Sequence, residues 1–331
     1  MAYRSCKQEG GWKVKLRQIP YHYIVIVVSL LGLSSCEYEL CYDHPHTGDI
    51  KVVFDWRKAP DASPQSMSLY LFPASGGDPL RYEFTDITGG IIKVPEGLYH
   101  AACINSDTEL VLYRNTGSPE TFECYTRSTA LLENYSSYGV RSEIVPRAEG
   151  TGDERVSLSP DMLWSDRAED VTVTKGSDNT LILYPSESVC TYTVTVRNTE
   201  NLKYAAALGG SLSTMAGGVL PAVDRVGDES VTVPFDAYKS QDKTTLHARF
   251  LTFGQPDSRE CQHTLIIYAI LSDNAKWYYT YNVTGQVHDA PDPHHVDIVL
   301  DGLPLPKPIE NGNGFKPDID EWQTVKIDIA L

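Results

Sequence analysis

The chain has 331 residues, and the side chains in it that can do chemistry are seven cysteines, nine histidines and 44 Asp and Glu. Only Cys36 has surroundings that specify a reaction. It ends the run Leu33-Ser34-Ser35-Cys36, which follows the apolar stretch Tyr23–Leu33 and a basic stretch with Lys13, Lys15 and Arg17. A basic flank, a short apolar core and then small residues form the order of a secretory signal. The apolar run is too short for a relaxed spanning helix, which needs roughly 20 residues. A cysteine at this point matches the bacterial lipobox, in which the thiol is acylated and the cysteine becomes the first residue of the mature chain. Each buried methylene contributes ~0.8 kcal/mol, so several palmitate-class chains anchor far more firmly than one.

The other reactive side chains carry weaker signals. Cys41, Cys103, Cys124, Cys190 and Cys261 are odd in number and none is at CxxC spacing, so zinc-ribbon and thioredoxin motifs are absent and their disulfide pairing stays open. Cys103 and Cys190 lie in apolar, strand-like runs and read as small buried hydrophobes. His44-Pro45-His46 offers two imidazoles, but in the stretch just after Cys36. His294 and His295 are adjacent, and adjacent strand residues point to opposite faces. Asp318, Asp320 and Glu321 lack the order of an EF-hand and read as a solvated face. No nucleophile elbow, zincin, phosphate-loop or dinucleotide fingerprint occurs, so no cofactor and no metal are expected. Trp277, Tyr278, Tyr279 and Tyr281 read as cross-strand pairs and core. The segment Tyr204–Gly218, with Gly209-Gly210 and Gly217-Gly218, reads as a loop between strands.

Charge narrows the partners. The leader 1–35 holds five of the 28 basic and one of the 44 acidic residues, so the 296 residues after it carry a net −20. Such a surface repels nucleic acid and anionic headgroups, so membrane attachment has to come from acyl chains.

These residues must be positioned by strands. The runs 50–57, 66–73, 91–95, 98–105 and 109–114 are β-branched and aromatic, with turn-rich pieces between them. A second series covers 171–174, 179–184, 191–197, 229–235, 244–253, 264–271, 276–283 and 295–300. The clean alternation of Thr191–Arg197 gives a strand with one apolar and one wet face. The best helical candidate is 127–135, and 135–170 reads as a polar connection with an exposed apolar point at Met162-Leu163-Trp164. The spacing predicts an all-β chain of sandwich or barrel type. Its parts are a signal over 1–35, a tether over 36–49, domains over 50–174 and 175–302, and a linker with a C-terminal strand over 303–331. In that last strand, Trp322–Leu331, the residues Val325, Ile327 and Ile329 alternate with polar or small neighbours and should enter an apolar groove. Burying three such side chains contributes on the order of 5 kcal/mol, at ~1.5–3 each. The strand can close its own chain or be donated to another.

The run Cys36–Trp56, the Leu208–Gly218 segment, His294–Pro308 and the ending Gly314–Ile329 together resemble a family of Bacteroidales lipoproteins of unassigned function grouped with fimbrillin-like proteins. The resemblance implies two tandem transthyretin-like, Greek-key β-sandwiches, as in subunits of lipoprotein-derived (type V) fimbriae. It implies an acylated precursor that reaches the outer membrane. Polymerising subunits of that kind lose an N-terminal strand by cleavage after a basic residue, and a partner strand fills the groove; anchor subunits keep their lipid. Arg57 lies at the end of the first predicted strand rather than on a loop, which favours the anchor or accessory role. Glu37 and Glu39 suit export to the cell surface. The expectation is a non-enzymatic, lipid-anchored outer-membrane protein with fimbrial subunits as partners. The alternative on the same fold is a surface lipoprotein that binds a glycan or host ligand.

Overall fold

The computed structural model describes residues 46–258, 260–308 and 321–326. Cys36 and Cys41, Ile327 and Ile329 lie outside these residues. The chain is all-β. In its first part are β1 (Thr47–Phe54), β2 (Met67–Pro73), β3 (Leu80–Phe84), β4 (Gly89–Pro95), β5 (Gly97–Asn105), β6 (Val111–Arg114), β7 (Glu123–Thr126), β8 (Arg155–Val156), β9 (Trp164–Val173), β10 (Asn179–Leu183) and β11 (Ser186–Glu187). Then come β12 (Cys190–Glu200), β13 (Ala205–Ala216), β14 (Gly218–Leu220), β15 (Arg225–Val226), β16 (Ser230–Asp236), β17 (Tyr238–Lys239), β18 (Leu246–Thr252), β19 (Thr264–Leu271) and β20 (Lys276–Asn282). A short helix α1 (Thr284–His288), β21 (His295–Pro304) and β22 (Trp322–Lys326) complete the order.

Period-2 alternation builds the first pair of sheets. In β1 the side chains of Ile50, Val52 and Phe54 are buried while Asp49 and Lys51 are exposed. This strand is the middle of the sheet β10-β1-β4, parallel to β10 and antiparallel to β4. Its apolar face meets the sheet β11-β9-β5-β2-β3 through Leu69, Leu71, Tyr99 and Cys103. In β2 all positions from Met67 to Phe72 are buried. The reason is a second layer: Tyr70 and Phe72, on the far face, pack against Phe122 and against Cys124 and Val219 of the small sheet β15-β14-β7-β6. A strand covered on both faces has to be apolar throughout.

The second pair sets β17-β18-β12-β21 against β22-β20-β19-β13-β16-β8. Tyr192, Val194 and Val196 of β12, Ile298 and Leu300 of β21, and Leu265, Ile267, Tyr279 and Tyr281 fill the space between them. The Tyr279 and Tyr281 hydroxyls donate to the carbonyls of Pro304 (3.0 Å) and Gly302 (3.2 Å), so these buried phenols are satisfied. Strand β21 runs on through Pro304, and Leu303 and Leu305 are buried, so the predicted linker begins later than residue 303.

Four sequence expectations are corrected. The predicted loop around Gly209-Gly210 is the central strand β13, paired with β16 and β19. The glycines are there for close packing: a Cβ on Gly210 would lie 2.3 Å from Phe235 Cζ, whose ring stacks on Phe250 at 4.3 Å. The predicted helix 127–135 gives way to a 3-10 turn over Glu133–Tyr138. The predicted polar connection is part of a cover: its Val140 and Val145, with Leu131 and Leu132 just before it, pack on Ile266, Tyr268 and Ile270 of β19. Leu163, expected to be exposed, is fully buried beside Phe122 and Val189. In addition β10, which a division at 174/175 assigns to the second half, pairs with β1 in the first.

Candidate assembly site

The two strands nearest the chain ends are the candidates for strand exchange. Strand β1 has partners on both sides, in register from Ile50↔Asn179 to Phe54↔Leu183 and from Thr47↔Pro95 to Val53↔Gly89. Phe54 meets Phe84 edge-on at 5.3 Å. The chain then turns through a 3-10 segment, Trp56–Lys58. There Arg57 Nε donates to Asp55 Oδ2 at 3.0 Å, and its guanidinium lies 5.0 Å from the Tyr184 ring centre. The Asp55 carboxyl sits below its usual range because Arg57 hydrogen-bonds to it. Arg57 is therefore held in a turn rather than presented on an extended loop.

Among the described residues strand β22 is an edge strand. It pairs there with β20 alone, parallel, from Trp322↔Lys276 to Lys326↔Thr280, so Val325 stands opposite Tyr279. Its anchor is Trp322, half-buried, whose ring meets Tyr268 at 5.4 Å. The Trp322 indole N–H is buried without a hydrogen-bond partner, which weakens this seat. Beneath it Lys276, 2% exposed, donates to the Gly139 carbonyl at 3.0 Å.

The other sequence candidates are dispersed. His46 is exposed at the start of β1. His294 Nδ1 is 4.0 Å from Cys190 Sγ, whereas His295 lies between Asp292 (3.0 Å) and Glu187 (3.5 Å). Among the described residues no group of three or more His, Cys, Asp or Glu is arranged to hold a metal ion. Cys103, Cys124 and Cys190 are free and buried, and burial pushes the Cys190 thiol up to about 12. Glu321 is exposed. Among the described residues no helix is long and apolar enough to cross a membrane.

Sequence reasoning missed two charged or titratable clusters. Glu229 accepts from Arg155 (2.7 Å) and Arg114 (3.3 Å), and Arg114 also binds Glu123 (2.7 Å), tying β6 and β7 to β8 and the start of β16. The Arg155 hydrogen bonds hold the Glu229 carboxyl below its usual range. His263, fully buried, meets His288 edge-on at 5.1 Å, and burial lowers its pKa. Neither cluster has a sequence signal, because its members come from segments far apart in the chain.

Comparison with known proteins gives one family and a set of relatives. A family model described as a domain of unknown function, DUF5119, matches residues 35–236, more than half of the chain. A Bacteroides ovatus protein named, provisionally, as fimbrium anchoring subunit Fim4B is 27% identical over 326 residues, covering 93% of this chain and 92% of the relative. The crystal structure of an adhesin candidate from Bacteroides ovatus has a TM-score of 0.61 at 21% identity, over 80% of this chain and 95% of that one. The fimbrial anchor protein Mfa2 from Porphyromonas gingivalis has a TM-score of 0.48 at 14% identity, over 77% of this chain and 91% of that one.

Proposed function

The chain belongs to the DUF5119 family, and from that premise we propose that it is a non-enzymatic cell-surface lipoprotein, acylated at Cys36, that serves as an anchor or accessory subunit of a fimbria. The observation that carries this reading is β1. It is enclosed between β10 and β4, with Ile50, Val52 and Phe54 in the core. A subunit that keeps this strand also keeps whatever lipid precedes it. The name of the Bacteroides ovatus relative, matched over nearly its whole length, agrees. We read the two sheet pairs as tandem transthyretin-like sandwiches, the first extending to β10 and the second starting at β12. Strand β22 is the segment that would reach a fimbrial partner.

The test is removal of the gene from the host bacterium. Fimbriae should then be shed into the medium, and mass spectrometry of the wild-type protein should find acyl chains on Cys36. Fimbriae that stay attached in the deletion strain would overturn the anchor role.

A second reading, a ligand-binding surface protein, rests on a cleft of about 410 Å³. Its lining includes Met162 and Trp164 together with Asp61, Glu187 and Asp292. A sugar titration that quenches Trp164 fluorescence would favour it.

A further inference from the structure

The outward face of the sheet β10-β1-β4 carries three apolar side chains in one patch. Ile91 is 73% exposed and Ile182 is 46% exposed, while Val53 between them is half-buried. The register makes them neighbours. Val53 stands directly opposite Ile182 on β10, and Ile91 stands opposite Lys51, one step diagonally from Val53 on β4. Facing cross-strand positions are ~4.5–5.5 Å apart and diagonal ones ~7–8 Å, so the three side chains share one surface. Two other exposed hydrophobics, Val299 and Tyr238, do not adjoin: they lie on one rung of another sheet, separated by Thr195 and His247.

The charges beside the patch differ between its two sides. On β1 and β4 Lys51 and Lys93 flank it, exposed, with Asp49 the one acid in the same rows, while on the β10 side the exposed Glu169 and Asp170 share a cleft with Ile182. Lysine stems can lie along apolar surface while their ammonium groups reach out to phosphate-rich headgroups. The chain carries a net charge of −16, so rows with two lysines and one acid, as on β1 and β4, are the exception.

The strand that bears the patch is also the strand the tether joins. Cys36 and Thr47, at the start of β1, are eleven residue steps apart. Such a stretch spans at most about 36–40 Å, at ~3.3–3.6 Å per residue. From Thr47 to Val53 the strand rises only about 20 Å, at ~3.3 Å per residue. The tether can therefore hold Cys36 in a bilayer beneath any part of this face.

We infer that the β10-β1-β4 face lies on a lipid surface, with Ile91, Val53 and Ile182 in the headgroup boundary and Lys51 and Lys93 reaching its phosphates. The inference rests on the acylation of Cys36. The protein then has two membrane signals, acyl chains and an apolar face, and two signals together give stable, oriented attachment. The face makes the attachment directional and leaves β22 free to meet a partner.

The test is thiol labelling of the full chain in intact cells. Ile91→Cys and Ile182→Cys are compared with Leu112→Cys and Val299→Cys, whose wild-type residues are 40% and 41% exposed. All four are made with Cys41→Ser and Cys261→Ser, and a membrane-impermeant maleimide is the probe. In the membrane fraction, positions 91 and 182 should label at least about tenfold more slowly than the controls, as for groups sunk ~5–10 Å into the headgroup boundary. The same variants with Cys36→Ser, secreted behind an ordinary signal, should label at the control rate. Membrane-bound protein that labels quickly at 91 and 182 would overturn the face while leaving acylation standing. Slow labelling that persists in the secreted form would mean that protein, not lipid, covers the patch. Protein absent from membranes, with Cys36 unacylated, would sink both.

Discussion

Strands β1 and β22 are near the two ends of the chain, and they are held very differently. Strand β1 has eight residues, hydrogen-bonds on both sides and buries three large apolar side chains. Strand β22 is described over five residues, hydrogen-bonds on one side and is seated by a half-buried tryptophan whose indole N–H lacks a partner. Removing β1 would split a sheet and open a core. Removing β22 would expose one edge of β20. Among the described residues, β1 is the more firmly held of the two strands.

The sharpest way to break this comparison is at Phe54. Phe54→Ala empties a core position against Phe84 and should cost ~3–5 kcal/mol. At ~2–4 °C per kcal/mol for a chain of this size, the melting temperature should fall by about 10 °C. A variant that melts like the wild type would mean that β1 is not locked.

Gly210→Val tests whether the sheet carrying β22 is packed as tightly as the one around β1. The added Cβ meets Phe235 and the Ile266 carbonyl (2.7 Å), so overpacking of ~1–3 kcal/mol is expected. Calorimetry should record a fall in melting temperature of several degrees. An unchanged transition would show that β13 can shift away.

Trp322→Ala should cost less than Phe54→Ala, about 1–2 kcal/mol, since one half-buried aromatic is lost. A fall as large as that of Phe54→Ala would erase the asymmetry. No fall at all, together with lost capture of a fimbrial subunit in a pull-down, would mean that the strand is donated.

The smallest effect concerns pH. Burial lowers the His263 pKa from 6.5, with Ser213 accepting from its Nδ1 side and His288 and Glu154 nearby. A histidine depressed in the folded state is protonated first in the unfolded chain. Stability is therefore complete above about pH 6.5 and declines as pH falls below it. Melting curves between pH 7 and 5 should show this decline, and His263→Gln should flatten it. An equal slope in both proteins would remove His263 as the cause.

Much of the strand content was legible because alternation is a local signal. Thr191–Arg197 reads as a one-faced strand, and β12 has that pattern, with Tyr192, Val194 and Val196 inside. The continuous apolar run Thr264–Leu271 read as a strand too, but the cover on its second face was not legible. That cover comes from Leu131, Leu132 and Val140, spread through a segment rich in polar residues. The glycines of β13 misled for a related reason. Glycine weakens a strand by itself, and only neighbours from other segments, Phe235 and Ile266 at Gly210 and Leu132 and Tyr135 at Gly209, explain why a side chain would not fit there.

By itself the sequence determined the all-β class, the leader grammar that singles out Cys36, and which face of strands such as β1 and β12 turns inward. These follow from period-2 side-chain geometry and composition, which act within a few residues. Tertiary structure decided which strands are neighbours. It put β10 beside β1 across a division drawn at 174/175, ran β22 parallel along β20, and gathered Ile91, Val53 and Ile182 into one patch. Those choices depend on register and on contacts between residues tens to more than a hundred positions apart, and a pattern read along one strand carries no information about its partner.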